Sequence, residues 1–335
     1  MELKKSEVGM KNKLFKNTIL SFIRLTTLLV AVCILSFSLI SASPIDPVQA
    51  YVGAGVAVSP EQRENIGEFW GIDKPFAERF LSWGSAILKG DFGTSLIYRK
   101  SVISIIYERF SISIALMGVA WILSSIIGYT LGIIMGIYRG RLPDKTIKTI
   151  CLTLSSTPTF WLGLLFLMIF SIGLGWFPIG FSVPIGMISS EVTLMNRLYH
   201  MLLPAISLSF ASFGGVALHT REKMIEVLQS DYVLFARARG ENKLEVIMRH
   251  GIRNTVIPAI TLQFASFSEL FGGSILVEQV FSYPGLGQAA VQAGIKSDVP
   301  LLLGITIFSA LFVFTGNLIA DIIYGMVDPK IREMS

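Results

Sequence analysis

Three polar residues inside long apolar stretches are the ones that could contact a polar solute. Gln263 and Glu269 lie in one such stretch, and Asn317 lies in another. Polar and ionisable side chains are costly in hydrocarbon, so they usually face the interior of a helix bundle or a water-filled path. Glu269 lies near the middle of its stretch, beside Gly272 and Gly273, where helices can approach closely. We predict that these three residues line a path, with a helix–helix contact as the alternative role.

The sequence lacks the common catalytic motifs. It contains no GxxxxGK[ST] loop for ATP, no HExxH pair and no GxSxG nucleophile turn. His200, His219 and His250 are far apart in the sequence, so we interpret them as interfacial histidines rather than metal ligands. Cys33 and Cys151 lie inside apolar blocks, which supports neither a disulfide framework nor a thiolate metal site. We therefore expect no enzymatic activity, no metal and no cofactor bound by this chain.

A basic segment, residues 220–255, interrupts the apolar stretches. A segment this charged cannot lie in lipid, and its basic bias assigns it to the cytoplasmic face. Gly240 lies between two short predicted helices and is suited to end the first in a left-handed turn. The basic residues are Arg221, Lys223, Arg237, Arg239, Lys243, Arg249 and Arg253.

The first predicted helix of this segment has a capping signal and an apolar face. Ser230 and Asp231 can cap it, and its inward residues are predicted to be Tyr232, Phe235 and Ala236. The second predicted helix carries Leu244, Ile247 and Met248 on one face. Two such helices at an angle can insert an aromatic and alanine-lined tip into a groove on a soluble partner.

The elements that position these residues are predicted to be membrane-spanning helices. Apolar residues make up 52% of the chain and charged residues 15%, and the apolar residues form blocks close to the roughly 20 residues that cross a bilayer. The net charge of +5 fits cytoplasmic loops facing anionic lipid and requires no nucleic acid. We therefore predict an all-α polytopic membrane protein. Its six predicted spans are residues 25–42, 111–138, 150–177, 201–220, 256–281 and 301–327.

Loop charges predict that both termini are cytoplasmic. Basic residues are concentrated before the first span and in the loop after the second. Residues 1–24 are then a cytoplasmic N-terminus, residues 43–110 an external segment, and residues 111–335 a five-helix transmembrane domain that includes the cytoplasmic loop 220–255. The external segment is predicted to form a small helical cap, with helices at residues 59–70 and 75–88, the latter with Phe76, Phe80, Leu81 and Trp83 as its apolar set. Cleavage after a signal peptide near residues 41–43 is the alternative to an uncleaved first span.

Motifs spread over nearly the whole chain resemble the permease subunits of binding-protein-dependent ABC importers. The segment DYVLFARARG at residues 231–240, followed by HGIRN at 250–254, is similar to the ATPase-docking loop of that family. The family's opening Glu-Ala-Ala is replaced by Phe235-Ala236-Arg237-Ala238, a form typical of the peptide and nickel branch. Other similar motifs are GIDKP (71–75), GDFGTS (90–95), PTFWLG (158–163), LGWFP (174–178), EQVFSYPGLG (278–287) and DPKIR (328–332).

The resemblance implies a function and a set of partners. It implies a bacterial cell-membrane permease that pairs with a second permease, two cytoplasmic ATPase subunits that bind ATP, and an external solute-binding lipoprotein. Short peptides are the expected cargo, and nickel or a metal–chelator complex is the alternative. An ATP-independent channel or scaffold and an intramembrane hydrolase are the rival functions. The residues implied to couple to the ATPase are Asp231, Tyr232, Phe235, Ala236, Arg237, Ala238, Arg239, Gly240, Arg249 and Arg253.

Overall fold

The computed structural model describes residues 23–39, 74–187 and 191–327, and within them the fold is helical, with one isolated bridge between Thr94 and Ser101. This confirms the predicted all-α class. The helices are α1 (Ile23–Leu39), α2 (Phe76–Leu88), α3 (Val102–Ile137), α4 (Leu142–Ser155), α5 (Thr159–Phe166, extended by a π-helical turn Leu167–Gly173), α6 (Leu194–Leu228), α7 (Asp231–Ala238), α8 (Lys243–Val246, extended by a π-helical turn Ile247–Ile252), α9 (Arg253–Ala265), α10 (Phe267–Val280), α11 (Leu286–Ile295) and α12 (Val299–Val327).

Three of these helices are long and apolar enough to cross a membrane: α3, α6 and α12. The count rises to five if each of two bent helix pairs is one span, and α1 is a shorter apolar helix. The six-span count therefore stays a prediction. Helix α3 begins at Val102, earlier than the predicted start of the second span at residue 111.

The predicted third and fifth spans are not straight. Helices α4 and α5 meet at an angle of 107°, and α9 and α10 meet at 52°. The first bend lies just before Pro158, where the ring disfavours the helical conformation of the preceding residue. The second bend lies at Ser266, which ends α9 and begins α10.

The described residues form two compact units. The first contains the described chain up to Arg109 together with Ala289–Leu318, and the second contains Phe110–Gln288 together with the residues from Ile319 onward.

In the first unit, the predicted helix at residues 75–88 is present as α2 and packs on α1 through aromatic rings. The Phe37 ring centroid lies 5.4 Å from those of Phe76 and Phe80 and 5.3 Å from that of Trp83. Leu81 is exposed, so its assignment to the apolar set was wrong. The predicted helix at residues 59–70 lies outside the described residues.

The first unit also contains the predicted turn at residues 90–95. Gly90 and Gly93 adopt positive φ angles of 84° and 79°, which glycine tolerates without a steric penalty. Asp298 is fully buried and accepts hydrogen bonds from the Ser95 hydroxyl and, at 3.0 Å, from the Ile97 amide. A buried carboxylate therefore fixes the chain that follows the turn.

The second unit is built on close contact between α3 and α6. Gly128, Gly132 and Gly136 occur at every fourth position of α3 and face α6. A Cβ added at Gly132 would lie 2.5 Å from the Thr220 Cβ, and one added at Gly136 would lie 2.5 Å from the Met224 Cβ. Only glycine allows the two backbones to lie this close.

Candidate functional site

The candidate site is a hairpin formed by α7, α8 and the turn between them, residues 231–252. Gly240 has a φ angle of +94° and ends α7 in the predicted left-handed turn. The Gly240 amide donates to the Arg237 carbonyl at 3.0 Å, and the Glu241 amide donates to the Ala236 carbonyl at 3.2 Å. These are the two hydrogen bonds of a Schellman motif. Ser230 occupies the predicted cap position, but its hydroxyl donates to the Val227 carbonyl instead of capping α7.

The second arm of the hairpin begins at a capping box. The Asn242 amide donates to the Glu245 carboxylate at 2.8 Å, and the Glu245 amide donates to the Asn242 side chain at 2.9 Å. This arm continues without interruption through the π-helical turn into α9, so Lys243–Ala265 is one continuous helix. The second predicted helix is therefore the beginning of the fifth span rather than a separate element.

The buried face of α7 agrees with the predicted one at Ala236 but differs at the two aromatic positions. Val233 and Ala236 are buried, and Val233 packs with Val227 and Val246. Tyr232 and Phe235 are 47% and 65% exposed, so their predicted inward orientation was wrong. Successive residues of an α-helix are about 100° apart around the helix axis. Tyr232 and Phe235 each directly precede a buried residue, so both aromatic side chains point outward.

Charged residues surround the exposed aromatic side chains. Asp231, Arg237, Arg239, Arg249 and Arg253 are all exposed, as is Ala238. Within the hairpin, Glu241 lies 3.1 Å from the His250 ring nitrogen and 3.9 Å from the Arg249 guanidinium. The structure thus brings nine of the ten predicted coupling residues onto the hairpin, with Arg253 directly after it at the start of α9, and only Ala236 among the ten is buried.

The hairpin is attached to α6 and α3 by tightly packed contacts. A Cβ added at Gly251 would lie 2.5 Å from the terminal methyl group of Met224. Met224 is itself fully buried and also contacts α3 at Gly136. The Tyr129 hydroxyl of α3 donates to the Ile252 carbonyl at 3.1 Å. The second arm of the hairpin is therefore in direct contact with both α3 and α6.

An ion pair that the sequence analysis missed joins α4 to α6 beside the hairpin. Two nitrogens of Arg221 donate to Asp144 at 2.5 and 2.8 Å, and the Gly140 amide donates to the same carboxylate at 2.7 Å. The two side chains are 11% and 3% exposed. No local sequence signal links residues 77 positions apart, so this pair was visible only as two separate charges near span ends.

The predicted path residues occupy different environments. Gln263 is buried and hydrogen-bonded to α3, whereas Glu269 is exposed on α10 beyond the bend at Ser266. Asn317 is also exposed but belongs to the first unit. Gln263 is therefore not part of the exposed surface of α10 to which Glu269 belongs.

Glu278, near the end of α10, is fully buried. It accepts hydrogen bonds from the Ser113 hydroxyl at 2.5 Å and from the Gly287 and Gln288 amides at 2.8 and 3.2 Å. Its carboxylate thus binds the amino end of α11. Burial together with the Glu278 charge raises the pKa of the neighbouring Tyr283 phenol to about 12, so that phenol stays protonated. A Cβ at Gly285 would overlap the Glu278 carboxyl group, so this position requires glycine. The glycines of the EQVFSYPGLG motif were therefore a sequence signal that could have indicated this buried contact.

Comparison with known proteins identifies the family. The family model described as the inner membrane component of binding-protein-dependent transport systems matches residues 128–333, more than half of the chain. The chain is a permease of this family. The permease is 35% identical over 306 residues to the oligopeptide transport system permease protein AppB of Bacillus subtilis (strain 168), covering 91% of this chain and 95% of the relative.

Two further relatives align with the permease over nearly their whole length. The di/tripeptide transport system permease protein DppB of Pseudomonas aeruginosa (strain UCBPP-PA14) is 32% identical over 317 residues, with 90% and 94% of the two chains covered. The glutathione transport system permease protein GsiC of Salmonella choleraesuis (strain SC-B67) is 34% identical over 307 residues, with 91% and 94% covered. The permease is therefore the membrane subunit of an ABC importer and not an enzyme. The family implies that partner subunits use ATP and that the complete transporter contains further chains.

Proposed function

We propose that the permease forms half of the translocation path for short peptides and that its hairpin receives a cytoplasmic ATPase subunit. The observation that carries the docking role is the exposure of Tyr232 and Phe235 on a hairpin whose other face is firmly packed. The cargo is proposed from the relatives, which are named for the transport of oligopeptides, di- and tripeptides, and glutathione. These names favour peptides over the nickel or metal–chelator alternative.

The exposed face of the hairpin suits a protein partner. Leu234, Leu244 and Met248 are exposed together with the two aromatic side chains, and arginines flank them. Large aromatic and apolar side chains that are exposed in one chain become anchors when they enter a pocket on another. The surrounding positive charge would favour a groove with an acidic rim.

The attachment of the hairpin supports a mechanical role. ATP binding would draw the two ATPase subunits together and displace both hairpins of the permease pair. Because Met224 packs against Gly251 of the hairpin and Gly136 of α3, that displacement would pass into α3 and α6. The transporter would then alternate between states that open to opposite sides of the membrane.

One face of α10 has the composition of a path surface. Its exposed residues are Glu269, Gly272, Leu276 and Gln279, which recur at intervals of three or four positions. A face with a carboxylate and an amide is costly against lipid, so it would face a water-filled path. For Asn317, on α12, we propose either contact with the solute or a helix–helix contact.

The proposed assembly contains this permease, a second permease, two cytoplasmic ATPase subunits that bind ATP, and an external solute-binding lipoprotein. Both termini of the permease would lie in the cytoplasm of a bacterial cell. The hairpin would then project on the same side as the ATPases.

Co-purification tests the docking role. Phe235→Asp should lower recovery of the ATPase with the tagged permease by about tenfold or more, because a charge would replace a buried apolar anchor at the interface. Leu88→Asp is the matched control, since Leu88 is an exposed apolar residue of α2 and not part of the hairpin. Normal ATPase recovery with Phe235→Asp would contradict the docking role. Uptake of labelled di- and tripeptides by cells, in competition with nickel, tests the cargo.

A further inference from the structure

The bend between α9 and α10 is held by reciprocal hydrogen bonds between α9 and α3. The Gln263 Nε2 donates to the Trp121 carbonyl at 3.0 Å and to the Ser124 hydroxyl at 2.9 Å. In the opposite direction, the Trp121 indole nitrogen donates to the Gln263 carbonyl at 3.1 Å. We call these three residues, Trp121, Ser124 and Gln263, the clasp.

The clasp lies at the point where the helix axis changes direction. The Ser266 hydroxyl donates to the Gln263 carbonyl at 3.0 Å, so this carbonyl accepts both the Ser266 hydroxyl and the Trp121 indole group. The Trp121 ring also packs edge-on against Phe264 at 5.0 Å. Side-chain donors that enter the backbone ladder in this way are a recognised cause of sharp bends in helices.

One acceptor of the clasp is unsatisfied. Gln263 is 2% exposed, and its Oε1 is buried without a hydrogen-bond partner among the residues that the structure describes. A buried acceptor without a partner destabilises the arrangement that contains it. Among the described residues, the Gln263 side chain is therefore held through its Nε2 only.

We propose that the clasp is the pivot of a hinge that turns α10 when the hairpin moves. This inference rests on the proposed function, because it takes the hairpin as the element that the ATPase displaces. The second arm of the hairpin and α9 form one continuous helix up to the bend, so displacement of the hairpin reaches the clasp directly. The exposed face with Glu269 lies on the far side of the bend. Gln263 is then a positioning residue for the path rather than a residue of its lining.

Transport measurements on the assembled transporter separate pivoting from folding. Gln263→Met removes the amide at nearly constant volume, and Trp121→Phe removes the indole donor while keeping a ring against Phe264. Loss of one or two hydrogen bonds predicts about a tenfold fall in peptide transported per ATP hydrolysed, with ATPase activity changed by less than about twofold. Thr261→Val is the matched control, because Thr261 is buried on α9 but bonds only within its own helix, at the Ile257 carbonyl.

Pulsed electron paramagnetic resonance measures the hinge itself. Spin labels at Ile257 on α9 and Leu276 on α10 replace exposed side chains on either side of the bend, after Cys33 and Cys151 have been changed to alanine. In the transporter with unaltered clasp residues, the distance should shift between the nucleotide-free and ATP-bound states. In Gln263→Met the shift should be lost or the distribution broadened, whereas Thr261→Val should retain it.

The same samples distinguish failure of the hinge from failure of the proposed function. If the ATPase binds and hydrolyses ATP but the distance stays constant in the unaltered transporter, the bend is not a hinge. The clasp is not the pivot of the hinge if Gln263→Met keeps both the distance shift and the normal amount of peptide transported per ATP. The same holds if Thr261→Val lowers both as much as Gln263→Met does. If no ATPase co-purifies with the unaltered permease, the proposed function fails first.

Discussion

At the scale of single residues, glycine determines how close α3 and α6 can lie. Gly128, Gly132 and Gly136 each present backbone to α6 at distances where a Cβ would overlap atoms of the neighbouring helix. For Gly132 these atoms include the Ala217 carbonyl oxygen, which cannot move aside as a flexible side chain can. Gly118, on the same helix, has no described atom within 4 Å of an added Cβ.

Substitution by alanine is predicted to have opposite effects on stability at Gly132 and at Gly118. Gly132→Ala should lower the free energy of unfolding by about 1–3 kcal/mol, because it overpacks a rigid contact. Gly118→Ala should be neutral or stabilising by up to about 1 kcal/mol, because alanine is the better helix former. Thermal unfolding of the purified permease in detergent measures both effects. Size-exclusion chromatography checks that each variant remains monodisperse. Equal effects at the two positions would contradict the proposed closeness of α3 and α6.

Breaking the buried ion pair between Asp144 and Arg221 should lower the free energy of unfolding more than either glycine substitution does. Asp144→Asn removes the buried counter-charge of Arg221 and leaves only the exposed Glu222 carboxylate beside the guanidinium, and loss of a buried partner typically costs about 3–5 kcal/mol. Glu226→Gln breaks the exposed pair with Lys223 on the same α6 helix, where the expected cost is about 0–1 kcal/mol. The unfolding midpoints of the two variants should therefore differ clearly. A similar small shift for both would mean that the Asp144 pair is solvated in the membrane-embedded protein.

At the scale of elements, the shape of the hairpin depends on one left-handed residue. Gly240→Val places a β-branched side chain at a φ angle of +94°, which should cost about 1–3 kcal/mol or reshape the turn. Peptide uptake should fail while the permease still reaches the membrane. Gly240→Asn is the control, because asparagine tolerates positive φ, and it should retain most of the uptake. Undiminished uptake with Gly240→Val would contradict a coupling role for the hairpin.

The sequence predicted the hairpin better than it predicted the spans. Gly240 and the polar start at Ser230 bounded α7 correctly, because these signals are local. On the inward face of α7 only Ala236 was predicted correctly. Eight residues are too few to establish a periodicity, and Val233 carries no stronger apolar signal than Tyr232 and Phe235. Apolar length indicated the third and fifth spans but not their bends. The bend at Ser266 depends on donors from Trp121 of another helix, which no local pattern reveals.

At the scale of the whole molecule, function requires the hairpin and α2 to lie on opposite sides of the membrane. The basic residues of the hairpin favour the cytoplasm, and α2 follows the first apolar helix in the chain. The aromatic cluster around Phe37 attaches α2 near the end of α1.

Labelling from each side of the membrane tests this arrangement. With Cys33 and Cys151 replaced by alanine, a cysteine at Leu234 should be inaccessible to a membrane-impermeant maleimide in intact spheroplasts and should react in inverted vesicles from cells that lack the ATPase subunits. A cysteine at Leu88 should show the reverse pattern, because its side chain is 91% exposed on α2. Both positions are exposed in the permease alone, so burial cannot account for a difference between the two preparations. Reaction at Leu234 in intact spheroplasts would exclude contact with a cytoplasmic ATPase, and with it the proposed mechanism.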